Sequence, residues 1–135
     1  MRNLLKKTFL LIMAVVVVVF GTVSCARYLV NKTIDGQRKD ANVTIKSVNI
    51  PDFKIVYAEG GTGDTIIMLH GIGVDKNMSW LDFAKHFTPN YRVIIPDIPG
   101  HGESSLPQDK NYNIMSQMER LNLFCSETFR FKLQA

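Results

Sequence analysis

The chain opens on a hydrophobic pattern that no soluble element needs. From Thr8 to Ala26 it carries no charged residue, and the centre of that stretch, Phe9 to Phe20, is unbroken apolar sequence containing five consecutive valines, Val15 to Val19. At a rise of about 1.5 Å per residue, such a helix comes close to the ~30 Å hydrocarbon core of a bilayer. A cleaved signal peptide has a shorter apolar stretch ending in small residues, and Gly21 to Ala26 could supply such a site. The uncleaved anchor is favoured, with its amino end in the cytoplasm, because Arg2, Lys6 and Lys7 outweigh Arg27 and Lys32 near the other end. Residues 1–32 are therefore assigned to an anchor or signal segment. Residues 33–41 are polar and without periodicity, and are expected to be a linker.

From Asn42 the pattern changes to short elements. Val43 and Ile45, then Val48 and Ile50 after a change of register, predict a first strand; Phe53, Ile55 and Tyr57 alternate with Lys54, Val56 and Ala58 in a second, the break falling at Pro51-Asp52. The turn cluster Gly60 to Asp64 precedes Thr65 to Leu69, a continuous apolar run of the kind buried on both faces of a sheet, and it predicts a central parallel strand. Trp80, Phe83, Ala84 and Phe87 fall at i, i+3, i+4 and i+7, an apolar helix face with Asp75, Asn77 or Ser79 available as its cap. Thr88-Pro89-Asn90 ends that helix, and Tyr91 to Ile95 predicts the next strand, closed by Pro96. Strand, helix, strand in that order makes a right-handed parallel crossover the natural topology, so the fold class is α/β. Farther on, Ile114, Met115, Met118, Leu121 and Phe124 share one helical face.

Composition changes this picture in one respect. The formal charge of +4 suggests nucleic acid until it is located: residues 1–34 hold five of the 16 basic residues and none of the 12 acids. The remaining 11 bases against 12 acids leave the body at −1, with no basic stripe for phosphates. The basic flanks of the leader suit a membrane instead. Cys25 and Cys125 are far apart and form no Cys/His cluster of the kind that holds a metal, so neither metal nor cofactor is expected. Cys25 stands just after the apolar run, where a lipid-attachment cysteine would lie, although Thr22-Val23-Ser24 lacks the usual leucine three positions earlier.

Two motifs carry the candidate chemistry. Leu69-His70-Gly71-Ile72-Gly73 leaves the carboxyl end of the predicted buried strand and opens into a loop before a helix, where open α/β sheets place their ligands. Pro96-Asp97-Ile98-Pro99-Gly100-His101-Gly102-Glu103-Ser104 leaves the next strand at the same sheet edge. Together, from Tyr57 to Ser105, these segments resemble the α/β-hydrolases of the serine esterase and monoacylglycerol-lipase type. The resemblance implies the amino-terminal part of an α/β-hydrolase sheet behind the leader helix, and an acyl-ester substrate. It also implies that the Ile72 amide serves as an oxyanion-hole donor, presented by His70 and Gly71, with Gly73, Asp97, Gly100, His101, Gly102 and Ser104 beside the pocket. The family's turn motif matches directly at Ser104 and reaches Ser105 only with one extra position.

Such an enzyme needs donors aimed at the oxygen that gains charge in the tetrahedral state. The second donor normally follows a nucleophile on a Gly-x-Ser-x-Gly elbow, with an acid and then a histidine later in the chain. None of these stands in the 135 residues: Gly102-Glu103-Ser104 is followed by Ser105-Leu106 where x-Gly is required. Ser104 is accordingly expected to be structural, and His101, which precedes any such elbow, a loop residue. His70 is expected to be a hydrogen-bonded histidine at the strand end, Asp97 to tie the following turn to backbone amides, and His86 to be solvated. After Phe124 neither an apolar strand nor an elbow follows, so residues 125–135 are expected to be an aberrant, out-of-frame tail on a domain spanning 42–124.

Three readings follow: a serine-hydrolase product truncated before its catalytic triad, a membrane-anchored binding or interaction module that never needed a nucleophile, and a lipoprotein whose domain completes itself with another chain. The apolar helix faces and two-faced strands need covering, which favours the first over a self-sufficient module. The body is expected to face the periplasm or exterior.

Overall fold

The computed structural model describes residues 2–71 and 73–130, and the chain divides into two compact units after Gly36. The first is most of helix α1 (Arg2–Asp40). Its apolar residues, Phe9 to Phe20 among them, are exposed along the helix, and α1 is the one helix among the described residues long and apolar enough to cross a membrane.

The segment 33–40, expected to be an irregular linker, is helical. Residues 33–40 continue α1, because the segment contains no proline and Arg38 and Lys39 lie in the last turn, where cations complement the carbonyl end of the helix. Two residues past the helix, Asn42, with a positive φ of 49°, turns the chain while its amide donates to the Lys39 carbonyl.

The body begins with strands β1 (Val43–Ile50) and β2 (Phe53–Gly60), an antiparallel hairpin in continuous register from Val43 opposite Gly60 to Ile50 opposite Phe53. The predicted register change in β1 is absent. The apolar positions switch from odd to even because Val43 and Ile50 are buried on opposite faces of one strand, while Ile45 between them is exposed. β2 pairs antiparallel with β4 (Arg92–Pro96), and β4 pairs parallel with β3 (Thr65–Ile67), giving the order β1-β2-β4-β3.

β3 differs from the expected central strand. It is three residues long, half exposed, and stands at the edge of the described sheet, although the Met68 amide extends the pairing by donating to the Ile94 carbonyl. β4, flanked on both sides, is the strand buried on both faces.

Helix α2 (Lys76–Ala84) is capped by Asp75, whose side chain accepts from the Met78 amide. It buries Lys76, Asn77, Leu81 and Ala84 and not the expected aromatic face: Phe83 is 51 % exposed and lies among Trp80, His86 and Phe87 on the outside. Helix α3 (Ile114–Arg130) packs Phe124 edge-on against Tyr57, in a cluster with Ile50, Phe53, Ile55 and Ile94. Leu121, Cys125 and Phe129 border that cluster, whereas Ile114, Met115 and Met118 are exposed. The expected face thus holds only over its last turn. Residues 125–130, expected to be aberrant, continue α3: burial raises the Cys125 thiol, and the Arg92 guanidinium lies 5.5 Å from the Phe129 ring centre. Residues 131–135 lie outside the described residues.

Glu59, near the end of β2, accepts from Lys46 at 2.8 Å and from Arg92 at 2.6 Å, so it joins β1, β2 and β4. Burial works to raise its carboxyl, but the two charged hydrogen bonds outweigh it and hold the group below its ordinary value of 4.5. A depressed carboxylate contributes stability that is present above its unfolded value and lost as pH falls through the folded one. Urea unfolding of the body in detergent at about pH 6 and about pH 3 should show Glu59→Gln destabilised at the higher pH, with a smaller deficit at the lower. An equal deficit at both would show that the charge of Glu59 is immaterial.

Candidate active site

The chain leaves β4 at Pro96 into a turn built by one carboxylate. Asp97 is fully buried; Oδ1 accepts the Lys76 amide at 2.8 Å, and Oδ2 accepts the Lys76 ammonium at 2.6 Å and the Glu103 amide at 2.9 Å. Lys76 is equally buried and reaches Glu103 as well, at 2.9 Å. The first turn of α2 is thereby bolted to the exit of β4. Gly102 closes the turn from the other side, where a Cβ would stand 2.2 Å from Asp97 Oδ2. Gly100, at φ +89°, allows Tyr112 against it, where a Cβ would meet the ring at 2.5 Å.

The turn is also stitched to β2. Ser104 Oγ accepts the Val56 amide at 2.9 Å and donates to the Asp97 carbonyl at 2.8 Å, and Ser105 Oγ accepts the Lys54 amide at 2.7 Å. With its hydroxyl donating to a carbonyl and accepting an amide, Ser104 has no free proton to yield to a base.

His70 joins the two motifs. It is 5 % exposed; Nε2 accepts the Ile98 amide at 2.9 Å, and Nδ1 stands 2.9 Å from the Gly71 carbonyl. A backbone N–H can only donate and a carbonyl can only accept, so the proton belongs on Nδ1 and both ring nitrogens are engaged. His70 holds the strand-end loop against the β4-exit turn and carries no proton elsewhere while it does so. Trp80 Nε1 donates to the Leu69 carbonyl at 2.9 Å, fixing the same strand end from α2.

Between the motifs lies a crevice of about 680 Å³ lined by His70, Gly71, Ile98, His101, Tyr112, Ile114 and Gln117. The rings of His70 and His101 are 5.3 Å apart. A smaller pocket of about 120 Å³ adjoins it, sharing Ile98, Ile114 and Gln117 and adding Asp97, Leu69 and apolar residues of α3. Of the sequence-predicted site residues, His70, Gly71 and His101 therefore meet at one crevice, and Asp97 stands at its annex. Gly100, Gly102 and Ser104 shape the turn, and Gly73, at φ +81°, is exposed in the loop. Ile72, the expected oxyanion donor, lies outside the described residues. His86 is exposed in the turn that follows α2. Sequence reasoning missed Lys76, Tyr112 and Gln117. Lys76 carried a usable signal, a lysine in the first turn of a helix where the backbone disfavours a cation.

A profile of the α/β hydrolase fold matches residues 64–129. Lipase 1 of Psychrobacter immobilis is 35 % identical over 94 residues, 67 % of this chain and 29 % of the lipase. Among solved structures, a putative lipase from Acinetobacter baumannii AYE is 32 % identical with a TM-score of 0.68, covering 75 % of this chain and 34 % of that one. A membrane phospholipase A, described as a bacterial virulence factor, is 34 % identical with a TM-score of 0.70, covering 89 % and 40 %. The chain belongs to the α/β hydrolases. It spans about a third of the length of these relatives.

Because Asp97 is buried beside a fully buried ammonium, removing the cation strands a charge. Lys76→Met should lower unfolding stability by about 3–5 kcal/mol, and adding Asp97→Asn should recover at least about 1 kcal/mol by removing that charge. Denaturation of both variants in detergent checks this; a loss for Lys76→Met below about 1 kcal/mol would show that the pair does not hold the turn.

Proposed function

We propose that residues 42–124 form the oxyanion side of an ester-hydrolysing, lipase-type site, carried to a membrane surface by α1 with the body facing the periplasm or exterior. The observation that supports it best is the His70–Ile98 hydrogen bond, which joins the strand-end His-Gly loop to the β4-exit turn around one crevice. In this reading the Ile72 backbone N–H, presented by His70 and Gly71, donates to the carbonyl oxygen of an acyl ester as it gains negative charge. His70 positions the loop, and Gly100, His101 and Gly102 border the substrate. The lipase and phospholipase likenesses support an ester or lipid substrate. The match to the membrane phospholipase covers more of the chain than residues 37–135 can supply, so it extends into α1.

The 135 residues contain no Gly-x-Ser-x-Gly, and the Ser104 hydroxyl is engaged in the turn. A serine nucleophile needs a base within hydrogen-bond reach and a third group to orient it. This chain alone is accordingly non-catalytic, and its chemistry requires an elbow serine, an acid and a histidine from further sequence.

Two measurements test the reading. The purified chain should take no label from a fluorophosphonate, which marks activated serines; labelling would overturn the assignment of Ser104 and its neighbours to structure. Residues 42–124 placed into Lipase 1 of Psychrobacter immobilis, in place of its matching segment, should retain ester hydrolysis, and Ile72→Pro, which removes the amide proton, should lower kcat by about 10²–10³. An unchanged rate in Ile72→Pro would remove the oxyanion assignment, and an inactive but folded chimera would favour a non-catalytic binding module. For orientation, alkaline phosphatase fused after Lys110 should be active; an inactive fusion would place the body in the cytoplasm.

A further inference from the structure

The segment between the β4-exit turn and α3 is fastened at its two ends. Pro107 is buried, and Asn113 caps α3, its side chain accepting the Ser116 amide at 2.8 Å. Between them residues 108–112 form an exposed strap that is neither helix nor strand. Its amides bond locally, Lys110 to the Pro107 carbonyl and Asn111 to Asp109 Oδ1. From outside these ends, Arg120 of α3 is the one residue that hydrogen-bonds to the strap among the described residues. Its buried guanidinium donates through Nη1 to the Asn111 carbonyl at 2.6 Å and through Nη2 to Asp109 Oδ1 at 2.5 Å.

Two features make the position of the strap depend on that clasp. Lys110 stands at φ +51°, a left-handed conformation that is unfavourable for a residue with a side chain and persists only where its surroundings impose it. A hollow of about 510 Å³ also adjoins the strap, bordered by Gln108, Asp109, Ser116 and Arg120, so there is room for movement. The crevice lies against a different face of α3, where Ile114 and Gln117 border it. Tyr112 is the strap residue that reaches the crevice, and its ring lies on Gly100, 2.5 Å from where a Cβ would stand. The Asn111 carbonyl and the Tyr112 nitrogen share one rigid peptide plane, so the bond from Arg120 fixes the plane from which Tyr112 departs.

We infer that Arg120 is a positioning residue of the crevice and acts through Tyr112. By gripping the Asn111–Tyr112 peptide and Asp109 together, it keeps the Tyr112 ring on Gly100 as a wall of the crevice. Without the grip Lys110 relaxes, the strap swings toward the hollow and the crevice loses that wall. A lysine does not replace Arg120, because a single ammonium lacks the planar fork that serves two separate acceptors. The ligand used below rests on the ester-site reading; the coupling of Arg120 to Tyr112 does not.

The test uses the full chain in detergent micelles and two readouts. The first is the Gly100 Hα resonances, which the ring current of Tyr112 displaces. Arg120→Met and Arg120→Lys should lose that displacement, whereas Asp109→Asn, which keeps an acceptor in place, should retain it. If Arg120→Met does not fold, the exposed Asp109 decides: Asp109→Ala should reduce the displacement that Asp109→Asn keeps. The second readout is the affinity for methyl butyrate, followed by the crevice resonances. A strap closed about a tenth of the time binds about tenfold more weakly, the loss expected for Arg120→Met. Tyr112→Ala should lose about as much, and the double variant no more than either, because both changes remove the same wall. An unchanged Gly100 displacement in folded Arg120→Met, or losses that add in the double variant, would overturn the inference. If methyl butyrate perturbs no crevice resonance while the Gly100 displacement behaves as stated, the ester site falls and the coupling stands.

Discussion

The buried pair of Lys76 and Asp97 is the constraint on which the site depends. Two opposite charges are held at 2.6 Å with neither exposed, and the carboxylate also receives the Lys76 and Glu103 amides. Burying both is costly, and the arrangement persists only because every oxygen of Asp97 is engaged. Its consequence is geometric. A strand-to-helix loop and the turn after the neighbouring strand would otherwise be two independent surface segments, and loops are where backbone is least fixed. Bolted together, they leave His70 able to reach the Ile98 amide and keep the crevice open between them.

The same constraint accounts for residue types that look unrelated in the sequence. Gly102 is required because Asp97 occupies the space a side chain would take, and Ser104 is required as a hydroxyl that both accepts from β2 and donates to the Asp97 carbonyl. The turn thus spends its polar groups on holding itself, and the crevice inherits a wall with few free hydrogen-bonding groups. Electrostatics elsewhere follows a different rule: Glu59 is only partly buried, and its two cations hold it by adding charged hydrogen bonds to a ladder already made by the strands.

Much of this is legible in the sequence. Periodicity located β2 and β4 and narrowed the cap of α2 to Asp75, Asn77 or Ser79, of which the structure uses Asp75, and the two glycine motifs located both walls of the crevice. What failed did so for identifiable reasons. Thr65 to Leu69 was placed at the centre of a sheet because its residues are apolar on both faces, yet a run of apolar residues cannot say whether the strand that would cover its outer edge is in the same chain; among the described residues β3 has β4 on one side only. Trp80, Phe83 and Phe87 have helical spacing, but the buried face of α2 is chosen by Lys76 and its carboxylate, a tertiary pairing between residues 21 apart in sequence that periodicity cannot anticipate. The segment from 125 to 130 has no strand pattern, yet its Phe129 continues the α3 face that begins at Leu121. Gln117 gave no sequence signal at all, being one polar residue on a helix whose apolar neighbours drew attention.

Amide hydrogen exchange on the full chain in detergent tests the central claim most directly. Backbone amides that end on Asp97 or His70 are those of Glu103 and Ile98, in loops, and of Lys76, in the first turn of α2 where no intrahelical acceptor exists, and such amides ordinarily exchange fast. If the buried pair organises the site, these three should be protected to the same degree as the Asp97 amide, which is bonded to Val56 at the end of β4, and should lose protection together in Lys76→Met. Rapid exchange at Lys76, Glu103 and Ile98 while the Asp97 amide stays protected would show that the two motifs move independently and that the crevice is not held by this pair.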